Sequence, residues 1–323
     1  MTSIRPFILL SALSLCSVIY ADNITFADNN VKVLCVQNWD DDNDGELSTE
    51  EASMVTTLGN VFRGNKTIVS FEELAYFTGL TTINDYAFYQ SSIQVVSFPQ
   101  SVTTIGKYAF SESSIRGELH IPGTVKTIED FAFYSCKQLT GVFLKEGVET
   151  AGWHSFSGPI RTLSLPSTLT FMSSMVVDPY VNAEPSAGVF VPEGDLYVYS
   201  HAIIPAAIND FAFYYVFGDS HLVVPYGAVE AYKAESGWSC FGEYLEFGDV
   251  NMDGEVDVAD AVCIVNRVIG KPTPKFLEGA ADANNDGEID IADAVRIINW
   301  IIGKTDNNSS PIGHDEEDPI EPQ

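Results

Sequence analysis

Apolar residues recur at a nearly constant spacing through the middle of the chain. Ala-Phe dipeptides place Phe88, Phe110 and Phe133 at intervals of 22 and 23 residues, and Phe156 follows 23 residues later, after Ser155. A second apolar residue stands five positions before each Phe, namely Ile83, Ile105, Ile128 and Ala151. Ala212-Phe213, with Ile208 five positions before, lies outside this series. A repeat of this length indicates a stack of similar structural units.

Each interval predicts a short strand, a turn, a second apolar rung and an Ala-Phe corner. The predicted strands cover residues 93–98, 118–121, 141–144 and 161–165. One coil of about 23 residues is too small to bury its own apolar side, so coils are expected to stack into a solenoid. We place it at residues 59–246, with a half-coil at 71–80, an insertion at 172–205 and a closing strand, turn and helix at 222–238.

Near the C-terminus the pattern changes to a duplicated acidic loop followed by an apolar helix. The loops cover residues 249–260 and 282–293, an offset of 282 − 249 = 33. Oxygen-bearing side chains at loop positions 1, 3, 5, 9 and 12, with Gly at position 6 and a carbonyl at position 7, are typical of EF-hand calcium loops. The predicted ligands are Asp249, Asn251, Asp253, Glu255, Asp257 and Asp260, then Asp282, Asn284, Asp286, Glu288, Asp290 and Asp293.

A third loop of this kind occupies residues 40–51 near the N-terminus. Its predicted ligands are Asp40, Asp42, Asp44, Glu46 (through its carbonyl), Ser48 and Glu51. Residues 31–36 are β-branched and apolar, which favours a strand before the loop. We therefore expect a strand–loop–helix calcium site without a paired loop, within an N-terminal cap of residues 22–58.

The net charge and the N-terminal segment limit the partners and the cellular location that the sequence allows. Lys and Arg total 16 and Asp and Glu total 45, so the formal charge is −29, which argues against nucleic acid or an anionic membrane as partner. Residues 1–21 combine Arg5 with an apolar run ending at Ala21, which is typical of a secretory signal peptide. A lipoprotein signal at Cys16 is the alternative, although Leu15 is bulky for one. No other segment is long and apolar enough to span a membrane.

Reactive residues form no recognisable catalytic motif. Four cysteines are scattered through the chain outside the N-terminal segment, at Cys35, Cys136, Cys240 and Cys263, and no CxxC motif is present. The sequence is therefore compatible with buried thiols or with a disulfide bridge, and it disfavours a zinc site. The five His residues lie in no hydrolase or metalloprotease motif, and no phosphate-binding loop is present. We therefore expect a protein that is not an enzyme, although a carboxylate pair assembled in space, as in glycoside hydrolases, leaves no motif.

The I-x-x-x-A-F coils at 83–88, 105–110 and 128–133 resemble BspA-like leucine-rich repeats of bacterial surface proteins. The segments Y-F-T-G-L at 76–80 and V-P-Y-G-A-V-E-A-Y-K at 224–233 carry the same resemblance. It implies adhesion or protein binding at the cell surface, without naming a ligand.

The two loop–helix units joined by K-P-T-P-K at 271–275 resemble a type I dockerin domain over residues 247–304. Their duplication and the Asp residue at position 12 carry the resemblance. It implies two calcium ions, calcium-coupled folding and a cohesin-like partner on a scaffold or surface protein. By the same resemblance, the residues expected to contact that partner are Val258, Ala259, Arg267, Ile291, Ala292 and Trp300.

The predicted fold class is α+β, a leucine-rich-repeat β-solenoid with a small all-α calcium-binding dockerin and an acidic, disordered tail at 305–323. The preferred function is a secreted, non-catalytic binding protein, whose solenoid recognises a protein or glycan and whose dockerin binds a cohesin-like partner. Two alternatives remain: a hydrolytic component of a polysaccharide-degrading complex, and an adhesin whose dockerin-like pair is only a calcium-rigidified cap.

Overall fold

The computed structural model of the chain describes residues 22–178, 195–214 and 220–303. Within them, the repeat region forms a solenoid whose successive coils are joined by parallel strand pairing. In chain order its strands are β1 (Ser70–Phe71), β2 (Thr82–Ile83), β3 (Val95–Val96), β4 (Thr104–Ile105), β5 (Arg116–Ile121), β6 (Thr127–Ile128), β7 (Gln138–Leu144), β8 (Thr150–Ala151), β9 (Phe156–Ser157), β10 (Thr162–Leu165), β11 (Phe171–Met172), β12 (Val177–Asp178), β13 (Leu196–Ser200), β14 (Ala207–Ile208), β15 (Ser220–Val224) and β16 (Glu243–Glu246).

Two six-stranded parallel sheets run along the solenoid. One joins β5, β7, β10, β13, β15 and β16 in that order, and the other joins β2, β4, β6, β8, β11 and β14. Two short pairs, β1 with β3 and β9 with β12, complete the strand pairing of the described residues. Each sheet advances by one strand from coil to coil, which confirms the predicted β-solenoid.

The aromatic corners of the coils stack into one ladder in the core. Ring centroids lie 4.9 Å apart between Phe88 and Phe110, 5.0 Å between Phe110 and Phe133, and 5.7 Å between Phe133 and Phe156. All four rings are fully buried. The Ala before the Phe is small because backbones meet there: the Phe88 N–H donates to the carbonyl of Ala109 at 2.7 Å.

The predicted insertion at 172–205 is partly wrong. Strands β11 and β13 lie within it and pair in register with the neighbouring coils, so the solenoid continues through these residues. The Val176 N–H donates to the carbonyl of Ala212, which makes Ala212-Phe213 a regular corner rather than an outlier. The period is hidden in the sequence because Val176 and Val177 occupy the corner positions where other coils carry Ala-Phe.

Helices lie at the two ends of the chain. In chain order they are α1 (Asn29–Trp39), α2 (Thr49–Met54), α3 (Val229–Ala234), α4 (Val258–Val268), α5 (Glu278–Ala281) and α6 (Ile291–Ile301), with 3₁₀ turns at Glu72–Tyr76 and Ser236–Trp238. Helices α4 and α6 follow the duplicated loops and pack around Val250, Ile264 and Ile297, as expected for an all-α unit.

The predicted strand at residues 31–36 is wrong, because these residues belong to α1. Asp28 caps the helix by accepting the N–H of Asn30, and Val31 and Cys35, four residues apart, face the core. β-Branched residues disfavour a helix only weakly, so this packing outweighs local preference. The first acidic loop, residues 40–51, is therefore flanked by helices on both sides.

The single helical turn α5 precedes the second of the twin loops. Leu277 and Ala280 bury this turn against Tyr199 of the solenoid and against Phe247, which supplies packing that the local sequence does not reveal. The solenoid and the C-terminal unit thus share an apolar contact.

Several predictions fall on residues outside the described ranges. The signal peptide at 1–21, with Cys16, and the tail at 305–323 lie there, as do residues 179–194 of the predicted insertion. Among the described residues, no helix is both long and apolar enough to cross a bilayer. Cys35 and Cys136 are buried thiols, whereas Cys240 is exposed.

Candidate calcium sites and docking face

The first loop gathers its acidic side chains around one point. One carboxylate oxygen from each of Asp40, Asp42 and Asp44 lies within 4.8 Å of the others. The Asp40 carboxylate accepts the N–H of Asp44 at 3.2 Å and of Gly45 at 3.0 Å. Gly45 has φ +86°, a conformation that side chains rarely adopt, so it allows the sharp turn.

Glu51 closes this loop from the first turn of α2. Its carboxylate accepts the backbone N–H of Ser48 at 2.8 Å and of Asp41 at 2.9 Å, while the Ser48 hydroxyl caps the helix. Burial alone raises the pKa of Glu51, but these hydrogen bonds outweigh it and hold the pKa below its usual value. The Glu46 side chain instead contacts Lys32 of α1 at 2.6 Å, leaving its carbonyl as the ligand expected at position 7.

The twin loops repeat the same backbone geometry. Asp249 accepts the N–H groups of Asp253 and Gly254, both at 3.1 Å, and Asp282 accepts those of Asp286 and Gly287 at 3.1 and 2.9 Å. Position 4 has positive φ in all three loops, and position 6 is a glycine with positive φ in each. All three loops therefore share the same backbone turn.

The carboxylates that begin and end the first twin loop are buried. Asp249 is 1% exposed and Asp260 is fully buried, as is Asp293 at the end of the second loop. Burial raises the pKa of all three, and neighbouring acidic side chains raise it further, while backbone N–H groups oppose the rise. A divalent cation would relieve this repulsion.

One orphaned atom tests the fit to calcium. The Oδ1 atom of Asn251, at loop position 3, is buried and has no hydrogen-bond partner. A calcium ion bound by the loop would satisfy such an oxygen, because Ca²⁺ takes six to eight oxygen ligands. The donor set is all oxygen, so the residues present fit calcium.

Two equivalent apolar pairs extend from the twin loops along α4 and α6. Val258 and Ile291 at the helix starts are 55% and 47% exposed, and Val262 and Val295 one turn later are 50% and 52% exposed. We call these four residues the docking face; Ala259 and Ala292 beside them are also exposed. Val262 and Val295 are not among the partner contacts predicted above, although they lie four residues after Val258 and Ile291 and so share a helix face with them.

The other two predicted partner contacts are engaged within the chain. Trp300 stacks on Tyr226 of the solenoid, with ring centroids 5.6 Å apart. The Arg267 guanidinium pairs with Glu278 and lies 5.5 Å from the ring of Phe276. The structure therefore separates Trp300 from the docking face.

A close approach at Gly279 brings the solenoid and the C-terminal unit together, and a second close approach, at Gly248, lies within the C-terminal unit. A side chain on Gly279 would lie 2.2 Å from the Tyr199 ring, and one on Gly248 would lie 3.0 Å from Trp300. The Gly248 N–H donates to the carbonyl of Ala280 at 2.9 Å. This contact buries Tyr199, Phe247 and Leu277, so the two units pack as neighbours.

Two family models match the chain. The model described as BspA type Leucine rich repeat region matches residues 60–178 in six copies, and that described as Dockerin type I domain matches residues 247–302. No curated protein matches the sequence. Both modules are non-catalytic, and the second is a calcium-binding module that binds cohesins.

Proposed function

We propose a function for this chain on the premise that it carries a BspA-type leucine-rich repeat region joined to a type I dockerin domain. In this proposal the chain is a secreted, non-catalytic binding protein of an extracellular or cell-surface complex. The solenoid recognises a protein or glycan, and the dockerin binds a cohesin-like domain of a scaffold or surface protein. Residues 1–21 supply the secretion signal.

The docking face carries this proposal. Four apolar side chains are half-exposed at equivalent positions of α4 and α6, directly after loops whose geometry fits calcium. Exposed apolar clusters of this kind mark protein interaction sites. Two calcium ions bound in the twin loops would fix the starts of both helices, while a third ion at 40–51 would stabilise the N-terminal cap.

The test measures binding of the full chain to a panel of type I cohesin domains, with calcium and with EDTA. We expect V258D/I291D to weaken calcium-dependent binding at least tenfold, because a carboxylate in an apolar contact loses its hydration. Ile204→Asp is the matched control, since Ile204 is 78% exposed on the solenoid. Equal affinity of V258D/I291D and the wild-type chain would contradict the proposal, as would calcium-independent binding.

The solenoid contact favours a second candidate, in which the dockerin serves as a calcium-rigidified cap. Trp300 and Tyr226 stack across the contact, and Phe247 is nearly fully buried there. This candidate predicts no cohesin binding in the panel and a solenoid that loses thermal stability when calcium is removed. The same full-chain samples, melted with and without EDTA, distinguish the two.

A further inference from the structure

The sheet on one face of the solenoid is interrupted between its second and third coils. Strand β3 pairs with β1 and strand β5 pairs with β7, but the described residues contain no pairing between β3 and β5. A cleft of about 410 Å³ lies between them and is lined by both strands. The facing edges of the two strands therefore offer backbone N–H and C=O groups to a further strand.

A one-residue difference between the coils explains the interruption. Both coils share the Ser-Ser-Ile segment that ends at Ile93 or Ile115, but Pro99 follows Ile93 by six residues and Pro122 follows Ile115 by seven. The register between β5 and β7 also shifts at this point: Gly117 faces Leu139 and Glu118 faces Gly141, so Thr140 of β7 is left as the bulged residue, and Gly117 has φ +69°. A bulge bends its strand and ends regular pairing, and bulges are frequent beside binding sites.

The cleft has an apolar floor and positively charged ends. Ile115, Phe98 and Leu119 are buried beneath it. Arg116 begins β5 at one end of the cleft, and Lys145 lies at the other end. The backbone N–H of Lys145 donates to the carbonyl of Ile121 at 3.0 Å. Five residue steps of an extended strand separate the two ends by about 17 Å.

The charges within the cleft favour an acidic occupant. Glu118 is the only acidic residue that lines the cleft and lies 3.6 Å from His120, whereas neither Arg116 nor Lys145 has an ion-pair partner among the described residues. The ring of His120 stacks on Phe143, and Phe98 is only 8% exposed, so no broad aromatic face is available to stack on a sugar. An extended peptide therefore suits the cleft better than a glycan.

We propose that the cleft between β3 and β5 binds an acidic, extended peptide segment of a partner protein as an added parallel or antiparallel strand. The inference deepens the recognition role proposed above by naming the ligand class of the solenoid. Main-chain hydrogen bonds to the two edges hold the peptide, and its carboxylates reach Arg116 and Lys145.

The first test selects a phage-displayed library of random heptapeptides on the full chain in calcium. We expect enrichment of β-branched peptides carrying Asp or Glu near both ends, and at least tenfold weaker binding of these peptides to R116E/K145E. A repeated selection on R116E/K145E should enrich Lys or Arg instead. Arg161→Glu is the matched control, because Arg161 is exposed just before β10 and lies outside the cleft.

The second test removes Gly117, which gives both coils the same spacing and is expected to let β5 pair with β3. Peptide binding should then fall at least tenfold, while calcium-dependent cohesin binding stays unchanged. Peptide binding that is unchanged in both variants would overturn the inference, as would a selection on R116E/K145E that still enriches Asp or Glu. Neither result would contradict the proposed binding of the dockerin to cohesin.

Two further outcomes would assign the cleft elsewhere. A chain ending at residue 303 that binds the selected peptides at least tenfold more tightly would assign the cleft to the chain's own acidic end. Dimerisation of the full chain that R116E/K145E abolishes would assign it to a second copy of the chain.

Discussion

The N-terminal acidic loop and the twin C-terminal loops share a backbone conformation but differ in how their acidic side chains are held. In the first, Asp42 and Asp44 are exposed and Glu51 is held by hydrogen bonds that lower its pKa. In the others, Asp249, Asp260 and Asp293 are buried with raised pKa values. Although the backbone N–H of Asp44 opposes the rise, acidic neighbours also raise the pKa of the exposed Asp42, so the two kinds of loop differ mainly in the burial of their acidic side chains.

Packing sharpens the contrast. Position 8 of the first loop is Leu47, which is fully buried in the continuous core of the solenoid. The Ile24 N–H donates to its carbonyl at 2.8 Å, so residues 22–24 take the place of a partner loop. Val256 and Ile289 at the same position pack instead on the smaller core of the dockerin. The first loop has support that does not depend on a metal, and the twin loops have little.

Removal of calcium by a chelator should produce the largest difference in stability between the two kinds of loop. Calcium present at a thousand times its Kd stabilises a folded unit by about 4 kcal/mol per site, and EDTA removes that contribution. We expect residues 247–303 to lose most of their hydrogen-exchange protection in EDTA, because their buried carboxylates are then left unscreened. Residues 40–51 should lose less, and the solenoid coils at 82–172 should keep theirs.

Restoring calcium in excess over EDTA is the control for that experiment, and protection at 247–303 should return. Equal loss of protection at 40–51 and 247–303 would show that burial does not decide which loop depends on calcium.

Truncation at loop position 8 should have the next largest effect. Leu47→Ala removes a fully buried side chain, which typically costs about 2–5 kcal/mol of the free energy of unfolding. We expect urea unfolding, followed by hydrogen exchange, to show the loss across the first solenoid coils. Val256→Ala is the matched change in the dockerin.

Because Val256 is only half-buried, its truncation should cost less and confine the loss to 247–303. Spread of the Val256→Ala effect into the first coils would mean that the two ends of the chain unfold as one unit.

The loops were predictable because their ligand order is written within twelve consecutive residues. The solenoid was also predictable, since stacked Phe110 and Phe133 must recur at the coil length. Helix α1 was not, because its two core-facing residues, Val31 and Cys35, are compatible with a strand until the core they face is known. Long-range packing decided that element.

Two features of the candidate surfaces were likewise beyond the sequence. Trp300 occupies a position equivalent to Arg267, and only the contact with Tyr226 reveals that it faces the solenoid. The cleft depends on whether β3 and β5 pair, and the register shift that accompanies their separation lies between β5 and β7, two segments that are distant in the sequence. Periodicity predicts that coils stack, but it does not predict where one pair of strands separates.

Acidification without calcium should act in opposite directions on the two kinds of loop. A raised pKa for Asp260 and Asp293 means that their stabilising contribution is fully present below the usual value of 3.8 and is lost as pH rises through the folded value. In EDTA, residues 247–303 should therefore gain protection as pH falls from 7 towards 4. The gain is about 1.4 kcal/mol for each pH unit separating the folded and unfolded pKa values.

The lowered pKa of Glu51 has the reverse consequence, since its contribution is present above its usual value of 4.5 and is lost as pH falls through the folded value. The contribution of Glu51 to the protection of residues 40–51 should be lost only below about pH 4.5, whereas the raised pKa of the exposed Asp42 acts in the other direction. Hydrogen exchange corrected for the intrinsic rate at each pH measures both trends. In calcium the dockerin trend should invert, because protons then compete with the metal; the same sign with and without calcium would refute the assignment of Asp260 and Asp293 as ligands.

The smallest expected effect concerns the helix cap that all three loops share at position 9. Ser48, Asp257 and Asp290 each cap the following helix through a reciprocal capping box with position 12. Ser48→Ala removes the hydroxyl that binds Glu51 at 2.8 Å and should cost about 1 kcal/mol, since capping losses usually lie near that value. The loss should be the same in calcium and in EDTA if Leu47 and α1 already hold the loop.

Asp257→Ala is the matched change in the dockerin, where the substitution removes both the helix cap and a carboxylate of the calcium loop. Its cost should therefore grow when calcium is present, because the folded dockerin then loses both the cap and metal affinity. Thermal unfolding of both variants at a series of calcium concentrations measures the difference. A Ser48→Ala cost that grows with calcium as steeply as that of Asp257→Ala would place the N-terminal loop in the same metal-dependent class as the twin loops.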